Sequence, residues 1–346
     1  MTATGAWWVG SGHWDIFVAI YLFLGGISGG AFLVASIAEW LGERNPDSEG
    51  YGYITRWGWT LSFATIVVGS WTLLAHLSGP FLRAFMFPVR FTNWSSWMAI
   101  GTWIVVIFSL LVMARMIWAT FGTEAVDDAS GLPRNVVNRL GNNFFVDLGV
   151  DLIDSVADRT RPTGLAHKVT SVVGVGLAIM LVIYTALLLS AVGWNVPLWN
   201  ETLLPPLFVA SGFSAGIAMV IAVTYQLHDL DSHLVHRFGK LDDAVIVVEI
   251  GVLAALLYTL STGGITATAT LEAITSGMGL LLLVGVVGAG LLAPLAISAA
   301  QQLVNESSLL ATKRVTTMKF GLVIAGSFLL RFMLVFTAIQ QPIIVT

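Results

Sequence analysis

Eight stretches of this chain each run for about 20 residues or more with almost no charge, the length an α-helix needs to cross the hydrocarbon core of a bilayer. They lie near 15–41, 54–77, 95–121, 167–192, 203–227, 243–262, 277–303 and 318–340. Backbone in lipid must satisfy its own hydrogen bonds, so such stretches have little choice but helix. Composition points the same way. The chain is 56% hydrophobic and 10% charged, against about 25% charged in a soluble domain. The predicted class is an all-α integral membrane protein of about eight transmembrane helices, with too little sequence between them for a separate globular domain. The sixth stretch is the weakest, because Glu249 lies inside it. Met1–Asp15 lacks a basic segment, and the apolar stretch after it is too long for a signal peptide, so it reads as a retained first helix. With no cysteine, the protein by itself cannot hold an iron–sulfur cluster, a disulfide or a Cys-ligated zinc.

An even number of spans puts both termini on one face, here called A. The loops 78–94, 193–202 and 263–276 share that face, and their only basic residues are Arg83 and Arg90. Face B carries the basic residues from Arg44 and Arg56 through Arg134, Arg139, Arg159 and Arg161 to Lys313, Arg314 and Lys319. Basic residues stay cytoplasmic during insertion. Face B is therefore expected in the cytoplasm, with both termini outside the cell membrane. The face-B loops are also rich in Asp, and Arg outnumbers Lys three to one, a composition that suits a high-salt habitat. The longest loop spans 122–164, and near-helical alternation over Val136–Val156 fits a surface-lying amphipathic helix or a partly ordered loop.

Two segments four spans apart share a pattern. Gly26-Ile27-Ser28-Gly29-Gly30 and Gly212-Phe213-Ser214-Ala215-Gly216 both read Gly-x-Ser-small-Gly. Four spans restore the original direction, so the pair fits two parallel four-helix halves, 1–200 and 201–346, the first including the loop 122–164. Small-residue clusters are also a common helix-packing device.

Polar groups inside spans are costly and face a cavity or the protein interior. Tyr21 lies in the first span, His76 closes the second at face A, and Tyr184 lies in the fourth. Arg90, Trp94, Ser95, Ser96 and Trp97 open the third at face A. If the first four helices bundle, these groups converge toward face A in one apolar, aromatic pocket with a few hydrogen-bonding groups. A quinone suits that combination. Its carbonyls accept hydrogen bonds, its tail prefers lipid, and a His near its ordinary pKa of about 6.5 can move the accompanying protons. Each residue also has a plainer role. Tyr21 and His76 fit interfacial anchors, and Arg90 fits a headgroup phosphate. Glu249 and Arg331, in the sixth and eighth spans, fit a structural ion pair or parts of a proton route. Haem is disfavoured, because none of the six His lies deep in a span. No metal site is expected, His228, His233 and His236 being read as one solvated loop.

Several segments resemble the NrfD/PsrC family, the membrane subunits of polysulfide, nitrite, dimethyl sulfoxide and related respiratory reductases. They are Phe23–Ala31, His76-Leu77-Ser78-Gly79-Pro80, Arg90–Trp97 continuing to Gly101-Thr102-Trp103, Tyr184–Leu188, and Lys319 through Leu329-Leu330-Arg331. The most specific is Pro197-Leu198-Trp199-Asn200 followed by Leu204-Pro205-Pro206-Leu207-Phe208 and Ser211-Gly212. The resemblance implies two four-helix bundles, no haem, and a menaquinone or menaquinol site in the first bundle near the outer face. It implies a four-cluster [4Fe-4S] ferredoxin-like partner over that site and a molybdopterin catalytic subunit beyond it. By position, Tyr184 looks like the family's quinone-binding Tyr. Tyr21 stands where the polysulfide reductase subunit has a His, and His76 where relatives carry an acidic or His residue. Segment 92–96 lacks the family's usual prolines.

The expected function is thus a membrane anchor and quinone-reactive subunit of a respiratory molybdopterin oxidoreductase, with Tyr184 and His76 at the reacting group and Tyr21, Arg90, Ser95, Ser96 and Trp97 around it. The alternative is a proton-conducting protein or secondary transporter using Glu249 and Arg331. A passive anchor is a third reading.

Overall fold

The computed structural model describes residues 16–45, 49–76, 96–121, 144–192, 196–228, 230–303 and 313–339. Among them every regular element is helical. The order is α1 (Ile16–Gly42), α2 (Glu49–His76), α3 (Trp97–Thr120), α4 (Phe144–Thr160), α5 (Gly164–Val192), α6 (Leu204–Leu227), α7 (Ser232–Thr262), α8 (Ile265–Thr275), α9 (Gly277–Val284), a π-helical segment (Gly285–Leu292), α10 (Ala293–Leu303) and α11 (Lys313–Ile339). Among the described residues eight helices are long and apolar enough to span a membrane, α9, the π segment and α10 together forming the seventh. The all-α, eight-span expectation holds.

The centre is α1 against α6. α1 also packs on α2, α5 and α11, and α6 on α5, α7 and α11. Glycine makes the central crossing close. A Cβ on Gly30 would stand 2.0 Å from the Gly212 carbonyl oxygen, and one on Gly216 would stand 2.3 Å from the Gly30 carbonyl carbon. The two Gly-x-Ser-small-Gly motifs therefore touch each other, backbone to backbone, in the manner of small-xxx-small crossings in lipid. Their serines reach the next helix in each case. Ser28 Oγ donates to the Ser62 carbonyl of α2 (2.7 Å), and Ser214 Oγ donates to Asp242 Oδ1 of α7 (2.6 Å).

Several boundaries differ from their expected positions. α7 begins at Ser232, eleven residues before the predicted span. His233 and His236, with Asp242 and Asp243, are therefore helical and not in a loop. Polar residues lower the hydropathy of this stretch, but several find partners on other helices or at the helix start. Asp231 caps the helix through His233 N–H, Arg237 donates to Tyr51 Oη, and Lys319 and Ser298 both bind Asp243 Oδ1 at 2.8 Å. The loop 263–276 holds the short helix α8. The π segment precedes Pro294, which has no N–H to give, and it brings Gly290 against Gly326 of α11. The stretch 136–156, which fits a surface helix or a partly ordered loop, is helical from Phe144 onward within α4 (Phe144–Thr160), and its residues 136–143 lie outside the described residues. Loop 78–94 and both termini lie outside the described residues.

Candidate functional site

Tyr21 and Tyr184 meet inside the first four spans. Tyr21 is fully buried and Tyr184 nearly so. A glycine makes room for Tyr184. The ring of Tyr184 lies over Gly101 of α3, where a Cβ would come within 1.6 Å of Cε2. The ring of Tyr21 approaches Gly69 of α2, with Cδ2 3.8 Å from a Cβ built there. Thr185, next to Tyr184, packs against Gly25 of α1. Each of the four helices thus contributes to a single cluster, and it lies toward face A. Tyr21 is five residues into α1, Gly101 four into α3 and Tyr184 eight from the end of α5, so each is within about 12 Å of that face at 1.5 Å per residue.

The two hydroxyls are close enough to interact electrostatically. Tyr21 Oη is buried and faces the Tyr184 hydroxyl, with no well-aligned hydrogen-bonding partner. Buried polar atoms in native proteins almost always have one, so this phenol is a candidate donor to a ligand's polar atom. An apolar ring with carbonyl oxygens fits this donor set. Among the described residues no group of three or more His, Cys, Asp or Glu is placed to hold a metal.

The other expected residues divide. His76 is the last residue of α2, two helical turns beyond Gly69 on the same side by register. Ser96 is the N-cap of α3 and makes no side-chain capping bond. Trp97 stands one turn before Gly101 and is 41% exposed. Arg90 and Ser95 lie outside the described residues.

A second polar cluster, in the other half of the protein, adjoins the first. Arg331 is fully buried. Its Nη1 donates to Ser327 Oγ (2.7 Å), Ser211 Oγ (3.0 Å) and the Ser327 carbonyl (3.0 Å), and its Nε donates to the carbonyl of Leu22, the neighbour of Tyr21. Its guanidinium also lies over the Phe208 ring. Glu249 is buried and faces Arg331 and Ser211, although counting along their spans places the two at different depths. Asp242 is fully buried, with Oδ1 held by Ser214 and Oδ2 without a partner. Sequence reasoning misses Asp242, because beside Asp243 in a polar stretch it looks like loop surface.

A third cluster is equally hidden in the sequence. Arg115, in the third span, is 3% exposed and pairs with Glu39 of α1. Ser171 accepts from it (2.8 Å), His167 of α5 lies beside it, and the Trp59 ring covers it.

These features define a polytopic membrane protein with a buried tyrosine pair in its first four spans and ionisable groups in its last four. Comparison with known proteins gives the family. The chain belongs to the polysulphide reductase, NrfD family, whose model matches residues 10–343. It is 30% identical over 290 residues to the protein NrfD homolog of Haemophilus influenzae, with 82% of each protein covered. It is 30% identical over 292 residues to the C chain of polysulfide reductase from Wolinella succinogenes, with 83% of each covered. It is 30% identical over 270 residues to protein NrfD of Escherichia coli, with 76% of each covered.

Proposed function

We propose that this protein is the membrane anchor and quinone-reactive subunit of a respiratory molybdopterin oxidoreductase, binding menaquinol or menaquinone among α1, α2, α3 and α5. The observation that carries the reading is the buried Tyr21–Tyr184 pair over Gly101, with no well-aligned partner for Tyr21 Oη. A quinol supplies two electrons and two protons on oxidation. Tyr21 Oη hydrogen-bonds a ring oxygen, Tyr184 fixes the ring's position from the opposite helix, and the packed aromatics exclude water. His76 is assigned the proton exchange with face A, and Arg90, Ser95, Ser96 and Trp97 the mouth of the site.

A protein without cysteine must pass electrons to a partner. We assign that role to a four-cluster [4Fe-4S] subunit docked on face A, with a molybdopterin subunit beyond it. The name of the Wolinella relative denotes one chain of a multi-chain polysulfide reductase and supports this. The scarcity of basic residues on face A supports placing that face and both termini outside the cell membrane. Helix contacts running α1–α2–α3–α5 and back to α1, and α6–α7–α10–α11 and back to α6, support two four-helix halves divided near residue 200. The test is oxidation of a menaquinol analogue by the purified complex. Tyr184→Phe and Tyr21→Phe should each cut it sharply, and unchanged turnover in both would remove the site.

One observation favours a second activity in the same protein. From face B inward run Lys319 with Asp243, Asp242 with Ser214, Glu249 with Ser211, and Arg331, whose Nε ends on Leu22 beside Tyr21. Such a line supports a proton half-route from face B, the role expected for Glu249 and Arg331. Asp242→Asn and Glu249→Gln should lose turnover-linked proton uptake from the face-B compartment of vesicles, read with a pH dye, while Tyr184-dependent quinol oxidation remains. Undiminished uptake in both rules the route out.

A further inference from the structure

We propose that α4 lies in the plane of the membrane at face B, its outward apolar side sunk into the acyl boundary of that leaflet. The helix has three sectors. Asp151, Asp154 and Asp158 recur at intervals of three and four, which places them within an arc of about 60° at 3.6 residues per turn. Asp147 continues the same row in the sequence. Ala157, fully buried, marks the side that packs on α3. Leu152 and Val156, one turn apart, point elsewhere, roughly 150° from the centre of the acidic row. They are 66% and 45% exposed, and Ile153 beside them is 37% exposed. A short helix with large apolar side chains outward on one side and carboxylates on the other needs a boundary between oil and water.

The placement of α4 supplies that boundary. Its last residue is tied to the end of a span, where Thr160 Oγ1 accepts from Trp118 Nε1 at 2.9 Å. The next residue, Arg161, donates through Nη2 to the carbonyls of Trp118 and Phe121. Residues 161–163 then lead directly into α5, and Gly164 at φ +57° makes the bend. The first turns of α5 carry Leu165, Val169 and Val172 at 79%, 51% and 73% exposure. The outward side of α4 therefore begins at the depth where the lipid-facing surface of α3 and α5 ends. The occupant this continuity supports is that same lipid. The acidic row argues against attraction to anionic headgroups, so insertion here rests on apolar burial, unlike a basic surface helix.

Because the protein has no cysteine, single labels can be placed without background. Nitroxides at Leu152→Cys, Val156→Cys, Asp151→Cys and Asp158→Cys would be read in the full-length protein reconstituted in vesicles, by collision with oxygen and with a water-soluble nickel chelate. The expected result is oxygen access and nickel protection at 152 and 156, with the reverse at 151 and 158. The pattern should be the same in zwitterionic and anionic vesicles. Nickel access at all four sites would put the helix in water and overturn the proposal. Protection from both reagents at 152 and 156 would mean that protein covers this side, and a lipid pattern seen only with anionic vesicles would mean headgroup attraction; either overturns it too.

Discussion

Gly101→Ala isolates the geometry of the tyrosine pair from its chemistry. The added methyl would stand 1.6 Å from Cε2, 1.8 Å from Cζ and 2.3 Å from Cδ2 of Tyr184. Carbon atoms in contact sit about 3.5–4.0 Å apart, so the ring must retreat by roughly 2 Å. Tyr184 is 3% exposed and cannot swing freely, so its hydroxyl leaves its place opposite Tyr21. A misplacement of about 1 Å is worth on the order of 100-fold in rate. We therefore expect kcat/KM for a menaquinol analogue to fall at least about 100-fold in the purified complex. Overpacking costs about 1–3 kcal/mol, and replacing a helical Gly with Ala offsets about 0.5–1 kcal/mol of that, so the variant should still fold. The control is Gly176→Ala, on the same helix as Tyr184 with nothing within 4 Å of its built Cβ, which should leave turnover and spectra unchanged. Parental turnover in Gly101→Ala would show that the position of Tyr184 is irrelevant to the reaction.

The remaining predictions concern assembly. Gly216→Val places carbon against Gly30 and Ala31 backbone atoms only 2.3–2.5 Å from its Cβ, which cannot rotate away; folded, monodisperse protein on size exclusion should be lost, and recovery of normal protein would contradict the α1–α6 crossing. Arg331→Leu leaves Glu249, Ser211 and Ser327 without their cation, at roughly 3–5 kcal/mol, to be read as a lowered Tm in detergent; adding Glu249→Leu should restore part of it, and a double variant worse than the single would refute the coupling. Glu39→Gln removes the charge facing buried Arg115 and should cost roughly 1–3 kcal/mol, with little dependence on salt because Arg115 is only 3% exposed.

Hydropathy makes the spans legible, because a lipid-crossing helix needs a long apolar run whatever its neighbours are. It fails at the start of α7 for the same reason. A sum over a window counts Asp242, Asp243 and Lys240 as unfavourable and cannot see that Ser214, Lys319 and Ser298 engage the two acids from other helices. Tyr21 and Tyr184 are legible as convergent because span direction alone brings them toward one face. Gly101, which decides whether the Tyr184 ring fits, is not. With 35 glycines in the sequence, nothing local separates one lying under a ring from one that faces open space, such as Gly176.

The repeated motif means more as a pair than as either copy. Offset by 186 positions, Gly26, Ser28 and Gly30 correspond to Gly212, Ser214 and Gly216, and the two sets meet across one parallel crossing. In the first copy the serine engages Ser62, whose own hydroxyl returns a bond to the Ser28 carbonyl at 2.8 Å, so the contact closes on itself and is neutral. In the second copy the serine engages Asp242, which keeps one oxygen unmatched. The same hook to the following helix is thus self-contained on the side of the tyrosine pair and ionisable on the other. Arg331 crosses the seam between them, bound to Ser211 and Ser327 at one end and to Leu22 at the other. Glu249 faces that guanidinium, so the seam links an acid of the last four spans to the backbone next to Tyr21.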